Sequence, residues 1–458
     1  MSFYNKKIID RSYRTPMPSV NQLLQHYAYL PRLGLLIGLA GCSATTQVTN
    51  IEKIGHQGNT YSLTSMAQQL KNDNTAILLS FSGGGTRAAA LSYGVLKGMR
   101  DYTLVDGNET YPLINQVNTI SSVSGGSFTA AYYGLYHDAI FDQYESDFLY
   151  KDVSGNLIDI LLSPRFMFSK HTRTAAAAYY YNETLFNDAT FADIHEASPR
   201  IIINSTDLGG GVRFSFLQEY FDLICSDVND YSIANAVAAS SAVPVIFPPV
   251  VLQNFQHCDK NYNPMITDNM PIYLNSTHDG LSSYADKENR PYIHLVDGGV
   301  TDNLGLLAIY DVVKSQEEVF ALLGQHIDTL IIISVDASTK PDWIIDVNKQ
   351  TPDAQDIIGA ATDIQLHRYN DLVKSLVVKE LDTWQQTSTE KNAYFIDINL
   401  SNAKQKTLVN NIPTDFTLKP EQVDVLIEHG YEAVINNKQL ADIYQHHIPS
   451  PTLIIPES

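Results

Sequence analysis

Apolar residues in the first three quarters of the chain fall in short continuous runs separated by stretches of helical period. "TAILLSFS" (75–82), "VNTISSVS" (117–124), "RIIINSTDL" (200–208), "YIHLVDGG" (292–299) and "TLIIISVDA" (329–337) read as strands buried on both faces. "TRAAALSYGVLKGM" (86–99) and "GGSFTAAYYGLYH" (125–137) read as helices directly following the first two. Continuous apolar strands alternating with helices predict an α/β chain, a three-layer α/β/α arrangement around a mostly parallel sheet. "NLIDILLSPRFMF" (156–168) reads as buried core, with a lid or interfacial segment as the alternative. "AASSAVP" (238–244) reads as a helix end and turn, with a part in lining a pocket as the alternative, and the polar stretch 255–290 as an insertion between sheet elements. Beyond residue 340 helical patterns dominate. In "KPEQVDVLIEHGYEAVI" (419–435), Val423, Leu426, Ile427, Gly430 and Val434 share one face, and Pro420 and Glu421 suit a first turn. The expected organisation is a main domain over 71–340 and a mainly helical C-terminal extension, 341–458, packed on it.

Composition narrows the partners. A chain of 458 residues that is 44% hydrophobic can bury a sizeable core. Its net charge of −20 excludes nucleic acid, whose phosphates need basic surface. The N-terminus differs from the rest: Lys6, Lys7, Arg11, Arg14 and Arg32 precede the apolar run "LGLLIGLA" (33–40). That run is too short to span a bilayer and suits a secretory signal. "LAGC" (39–42) resembles the lipobox of bacterial lipoproteins, in which the cysteine is lipidated and becomes the mature N-terminus. An ordinary signal peptide is the alternative, and initiation at Met17 would shorten the leader. The resemblance implies a lipoprotein signal peptide over 1–41, a polar tether over 42–70, and anchoring through acylated Cys42. Ser43 after the cysteine favours the outer membrane of the bacterial envelope. Cys225 and Cys258 are then left in an oxidising compartment, where their pairing stays open. Three widely spaced cysteines do not make a zinc site, and no metal or cofactor is expected.

The chemistry concentrates at three glycine-rich turns. In "SSVSGGS" (121–127), Ser124 lies between a strand and a helix start, so a sharp turn would lift its hydroxyl above the sheet edge. Helix capping is the plain alternative. A serine needs a base to take its proton. In "HLVDGGVTDNLG" (294–305), Asp297 ends a strand and would reach the same edge if both strands run parallel; Asp302 reads as a cap. In "FSGGGTRA", Gly83, Gly84 and Gly85 precede a helix and expose backbone N–H groups. A phosphate loop needs G-x-x-x-x-G-K-[ST], and a dinucleotide loop needs G-x-G-x-x-G; neither spacing is present. Donors for an oxygen that becomes charged during reaction fit better.

These pieces, in this order, resemble the patatin-like phospholipase family, which carries D-G-G-G-x-R/K-G, G-x-S-x-G and D-G-G/A. The chain has S-G-G-G-T-R-A, S-V-S-G-G and D-G-G, departing at Ser82, Ala88 and Ser122. The resemblance extends over about 75–310 and the "PEQVDVLIEHGYEAV" tail. It implies a patatin-like catalytic domain and a Ser124–Asp297 dyad without histidine, which cleaves fatty acyl esters through an acyl-enzyme. Gly83, Gly84 and Gly85 would form the oxyanion hole, and Arg87 would fix that loop or meet a phosphate. The substrate would be a lipid at a membrane surface. Two other readings stay open. One is an α/β-hydrolase esterase whose triad uses His326, His367, His429, His446 or His447; the other is a non-catalytic lipoprotein that binds lipid or a partner.

Overall fold

The computed structural model describes residues 47–53, 61–63, 74–167, 171–256, 275–323, 327–339, 349, 351–448 and 452–454. Two units divide the chain, Met1–Thr45 and Thr46–Ser458, and all described residues belong to the second. The signal segment, Cys42 and Cys258 lie outside the described residues. Cys225 is disulfide-bonded.

The strands are β1 (Thr75–Phe81), β2 (Thr103–Asp106), β3 (Glu109–Pro112), β4 (Val117–Val123), β5 (Arg200–Asp207) and β6 (Val212–Ser215). They continue with β7 (Val250–Gln253), β8 (Tyr292–Asp297), β9 (Thr329–Asp336), β10 (Asn392–Asn399) and β11 (Thr452–Ile454). The main sheet runs β10-β9-β1-β4-β5-β8-β7, with β6 paired to β5; β11, β2 and β3 form a small separate sheet. The first five strands of that order are mutually parallel. Every residue of β1 and β9 is buried, as the unbroken apolar runs require of strands covered on both faces.

The helices that position the site are α1 (Gly85–Asp101), α2 (Gly125–Tyr136), α3 (Val153–Leu162) and α4 (Arg173–Tyr181). They are joined by α5 (Ile233–Ser240), α6 (Leu306–Leu323), α7 (Ala354–Gln385) and α8 (Pro420–Ile435). The arrangement is the expected mostly parallel sheet with flanking helices. Helix α8 crosses α1 at backbone distance. A Cβ on Gly94 would lie 2.2 Å from the Ile427 carbonyl oxygen, and one on Gly430 would lie 2.4 Å from that of Leu91.

Three features differ from the sequence expectations. The segment beyond 340 is not only helical: β10 extends the main sheet beside β9. The described parts of the expected tether are docked, because Val48 bridges Val251 and the Tyr61 hydroxyl is buried, donating to the Ile201 carbonyl at 2.9 Å. Tyr61 and Leu63 are buried there, and removing their apolar surface from water favours docking. Lastly, β8 runs antiparallel to β5, with Ser205 opposite Asp297.

Candidate active site

Register brings the three turns together. β1 and β4 pair with Phe81 opposite Ser122, and β4 and β5 pair with Val123 opposite Asn204. Ser82, Ser124 and Ser205 therefore lie near one edge of the sheet. β8 descends from beyond that edge and ends level with Ser205. Asp297 thus reaches the edge by ending an antiparallel strand there, not by running alongside β4.

Ser124 joins β4 to α2 at φ 48° and ψ −119°, a conformation that side-chain-bearing residues rarely adopt. Its neighbours impose the turn. The Ser124 N–H donates to Ser240 Oγ at 2.8 Å, and that hydroxyl donates to the Asn204 carbonyl at 2.6 Å. The two glycines after the serine are needed for close approach. A Cβ on Gly125 would sit 2.0 Å from the Gly85 carbonyl oxygen, and one on Gly126 2.7 Å from Phe81 Cβ. Ser122, a departure from the family pattern, is accommodated by hydrogen bonds. Its Oγ donates to the Ile202 carbonyl at 3.3 Å and accepts from Ser127 Oγ at 3.1 Å.

The Ser124 hydroxyl donates directly to Asp297 Oδ2 at 2.8 Å. The other carboxylate oxygen accepts the Gly299 N–H at 2.8 Å. Backbone bonds fix the acid as well: the Asp297 and Gly298 amides donate to the carbonyls of Ala242 and Ser240, at 2.9 and 3.1 Å. The end of α5 thus gives its terminal carbonyls to the acid and the Ser240 hydroxyl to the serine, satisfying groups a helix end leaves open. Asp297 is only 8% exposed. Burial raises its pKa from 3.8 to about 6, against the opposing pull of the Gly299 amide and the Ser124 hydroxyl.

The glycine loop needs glycine at two positions. Gly84 has φ 138° and Gly85 φ 59°, and a Cβ on Gly85 would lie 2.4 Å from the Asp415 carbonyl oxygen. One assignment changes here. The Gly83 amide donates to the Asn303 carbonyl at 2.8 Å, so it is not a free donor. The Gly84 and Gly85 amides have no partner among the described residues, and both line the cleft above Ser124. Ser82, where the family has aspartate, ties the loop to β9 by accepting the Ala337 N–H at 2.8 Å. Arg87 is 5% exposed. Its guanidinium donates to the carbonyls of Ala337 at 2.9 Å and Ile412 at 2.6 Å. Burial lowers its pKa to about 10, with Asp336 and then Asp363 opposing.

No imidazole stands between Ser124 and Asp297. His429 is buried in α8 with Nε2 2.9 Å from the Asn399 carbonyl oxygen, and His446 sits on the surface near Asp442. His367 lines the cleft from α7. His326 and the His447 side chain lie outside the described residues. Asp302 is a cap: its Oδ2 accepts the Leu307 N–H at 2.8 Å in the first turn of α6. Among the described residues, no group of three or more His, Cys, Asp or Glu side chains is placed to hold a metal.

The cleft has a volume of about 1570 Å³ and is lined in part by Leu157, Ile158, Val243, Ile246, Phe247 and Val300. Helix α3 is amphipathic rather than core, which corrects the reading of 156–162; Phe168, at the end of that stretch, lies outside the described residues. Leu157 is buried, whereas Ile158 is 56% and Leu162 49% exposed. Ile246, at 55%, is exposed on the facing loop. Three contributors to the site were not singled out from the sequence: Ser240, Asn303 and the segment 412–417. The hydroxyls of "AASSAVP" at a helix end were the one available signal for the first. Asn303 acts through its backbone carbonyl, and 412–417 through backbone carbonyls together with Asp415, Phe416 and Thr417 side chains that belong to no recognisable motif.

The patatin-like phospholipase family model matches residues 79–310, about half of the chain. The chain belongs to that family of lipid acyl hydrolases. Among solved structures, human GIVD cytosolic phospholipase A2 is similar at 12% identity and TM-score 0.45, covering 88% of this chain and 68% of that one. The same human enzyme in complex with methyl gamma-linolenyl fluorophosphonate gives 12% identity and TM-score 0.37, covering 81% and 60%. VipD from Legionella pneumophila gives 11% identity and TM-score 0.31, covering 79% and 66%. No curated protein matches the sequence.

Proposed function

We propose that the chain is a lipid acyl hydrolase of phospholipase A or lysophospholipase type, working through a Ser124–Asp297 dyad. Ser124 Oγ attacks the acyl carbonyl while Asp297 takes its proton. Asp297 then hands that proton to the departing alcohol oxygen, leaving an acyl-enzyme and a free alcohol or lysolipid. Water next attacks the acyl-enzyme, giving its proton to Asp297, and the fatty acid leaves as Ser124 recovers its proton. The Gly84 and Gly85 amides would meet the negative oxygen of each tetrahedral intermediate; one such donor typically contributes roughly 2.7–4 kcal/mol.

The observation that carries this reading is the direct 2.8 Å hydrogen bond from a serine on a strained turn to a buried carboxylate. In a triad an imidazole would occupy that position. A raised pKa suits the base, because a group titrating near the working pH can both take and return a proton. The exposed apolar residues Ile158 and Ile246 at the mouth suit an acyl chain arriving from lipid. Acylation of Cys42 would hold the enzyme at that lipid, on the outer membrane of a bacterial envelope.

The test is incubation of purified protein with defined diacyl and lysophospholipids, followed by mass spectrometry of released fatty acid and lysolipid. Fatty acid release by the wild type and none by folded Ser124→Ala supports the proposal. A serine-reactive fluorophosphonate that fails to label the wild type would favour a non-catalytic lipoprotein. Metabolic labelling with palmitate tests the anchor: incorporation should vanish in Cys42→Ala.

A further inference from the structure

Glycine loops carry no side chains that could fix them, so their geometry must be imposed from outside. Besides Asn303 and Ala337, the C-terminal side of the loop 83–85 is held by a segment that lies far along the chain, beyond the span matched by the family. The Thr86 N–H donates to the Asp415 carbonyl at 2.8 Å, and Thr86 Oγ1 donates to the Phe416 carbonyl at 2.8 Å. Arg87 Nη1 donates to the Ile412 carbonyl at 2.6 Å. With the Thr86 amide engaged by Asp415, the two amides before it are left facing the cleft.

The same segment grips the mouth. The Ser154 N–H donates to Thr417 Oγ1 at 2.9 Å, and Ser154 Oγ donates to Asp415 Oδ1 at 3.0 Å. Thr417 Oγ1 donates in turn to Asp152 Oδ1 at 3.0 Å; Asp152 is the residue that caps α3 by accepting the Gly155 N–H. The Phe416 ring packs edge-on against Phe247 of the mouth loop and Phe128 of α2, with centroids 6.1 and 6.3 Å apart. One short segment therefore touches the amide-bearing loop, the helix that follows Ser124, and both apolar lips of the cleft.

We propose that residues 412–417 are positioning residues for acyl transfer, bracing the Gly84–Gly85 amides and tying them to the mouth helix α3. This rests on the acyl-hydrolase reading above. The reacting atoms do not touch the segment. Its effect runs through Thr86, Arg87 and the Gly85 backbone, and displacing oxyanion donors by a fraction of an ångström lowers the rate of the chemical step while leaving substrate binding in place.

The experiment uses the full chain, a soluble short-chain acyl ester, and hydrogen exchange of peptides covering residues 82–88. Thr86→Val keeps shape but removes the donor to Phe416. It should lower kcat by about 10- to 100-fold with KM within about 3-fold, and speed exchange in 82–88. The acid limb of the pH–rate profile should stay in place, because the dyad is untouched. Thr86→Ser, which restores the hydroxyl, should recover most of the rate. Thr417→Val, which unties the segment from α3, should give a smaller fall in kcat in the same pattern. A folded Thr86→Val with wild-type kcat and unchanged exchange overturns the proposal, as does a change in KM alone. Should the wild type neither cleave ester nor react with a fluorophosphonate, it is the acyl-hydrolase reading that fails. Exchange in 82–88 then decides the brace alone, unchanged exchange overturning it.

Discussion

Replacing Asp297 with asparagine should stabilise the fold while removing most activity. Asparagine has nearly the same shape and its Oδ1 can keep the Gly299 N–H bond, so packing is preserved. What disappears is a buried charge. The folded protein raises the Asp297 pKa from 3.8 to about 6, chiefly through burial. That rise corresponds to a cost of about 3 kcal/mol for holding the carboxylate ionised, as an upper figure. The sign follows from proton binding: the folded state holds this proton more tightly than the unfolded chain does. The cost is absent below about pH 3.8, grows up to about pH 6, and is constant above it. Asp297→Asn should therefore unfold at higher urea concentration than wild type at about pH 8, with that advantage vanishing near about pH 4. Loss of the general base should cut ester turnover by roughly 10²- to 10⁴-fold. A variant that is no more stable at the higher pH, or that keeps more than a tenth of the activity, would refute the reasoning.

Three further outcomes follow from the same geometry. The kcat/KM for a neutral ester should rise with pH to a plateau above about 6, because Asp297 must be ionised to accept the proton; activity unchanged down to about pH 4 would contradict this. Gly85→Ala puts a Cβ 2.4 Å from the Asp415 carbonyl oxygen at a φ of 59°, so activity should be lost and the urea midpoint lowered. Ser240→Ala leaves the buried Ser124 N–H without its acceptor, a cost of about 1–3 kcal/mol, and steady-state kinetics should show kcat falling more than KM changes. A wild-type kcat in that variant would mean that α5 does not set the serine.

Much of the site was legible because its chemistry resides in local turns. Ser124, Asp297 and the three glycines each sit where a strand ends: β1 and β4 are parallel, so their ends share an edge, and β8 comes down to that edge from beyond it. The direction of β8 was not legible. "YIHLVDGG" is equally apolar in either orientation, and its pairing with β5 and β7 is a tertiary choice. The Gly83 amide looked like its two neighbours in sequence. Only the Asn303 carbonyl, more than two hundred residues on, distinguishes it. Helix α3 was read as core because Leu157, Ile158, Ile160, Leu161 and Leu162 crowd one short stretch. A cleft wall can use the same residues, exposing Ile158 while burying Leu157. The resemblance offered Arg87 as a residue that fixes the loop or meets a phosphate; its bonds to the Ala337 and Ile412 carbonyls were not legible, because backbone acceptors leave no pattern in sequence.

The central claim is that the Ser124 oxygen is the nucleophile and that Asp297 activates it. It is tested most directly by treating the protein with an alkyl fluorophosphonate and locating the adduct by peptide mass spectrometry. One phosphonyl group on Ser124 in the wild type is the predicted result, with none in Ser124→Ala and much slower addition in Asp297→Asn. An adduct on another serine, or unimpaired lipid hydrolysis by folded Ser124→Ala, would contradict it.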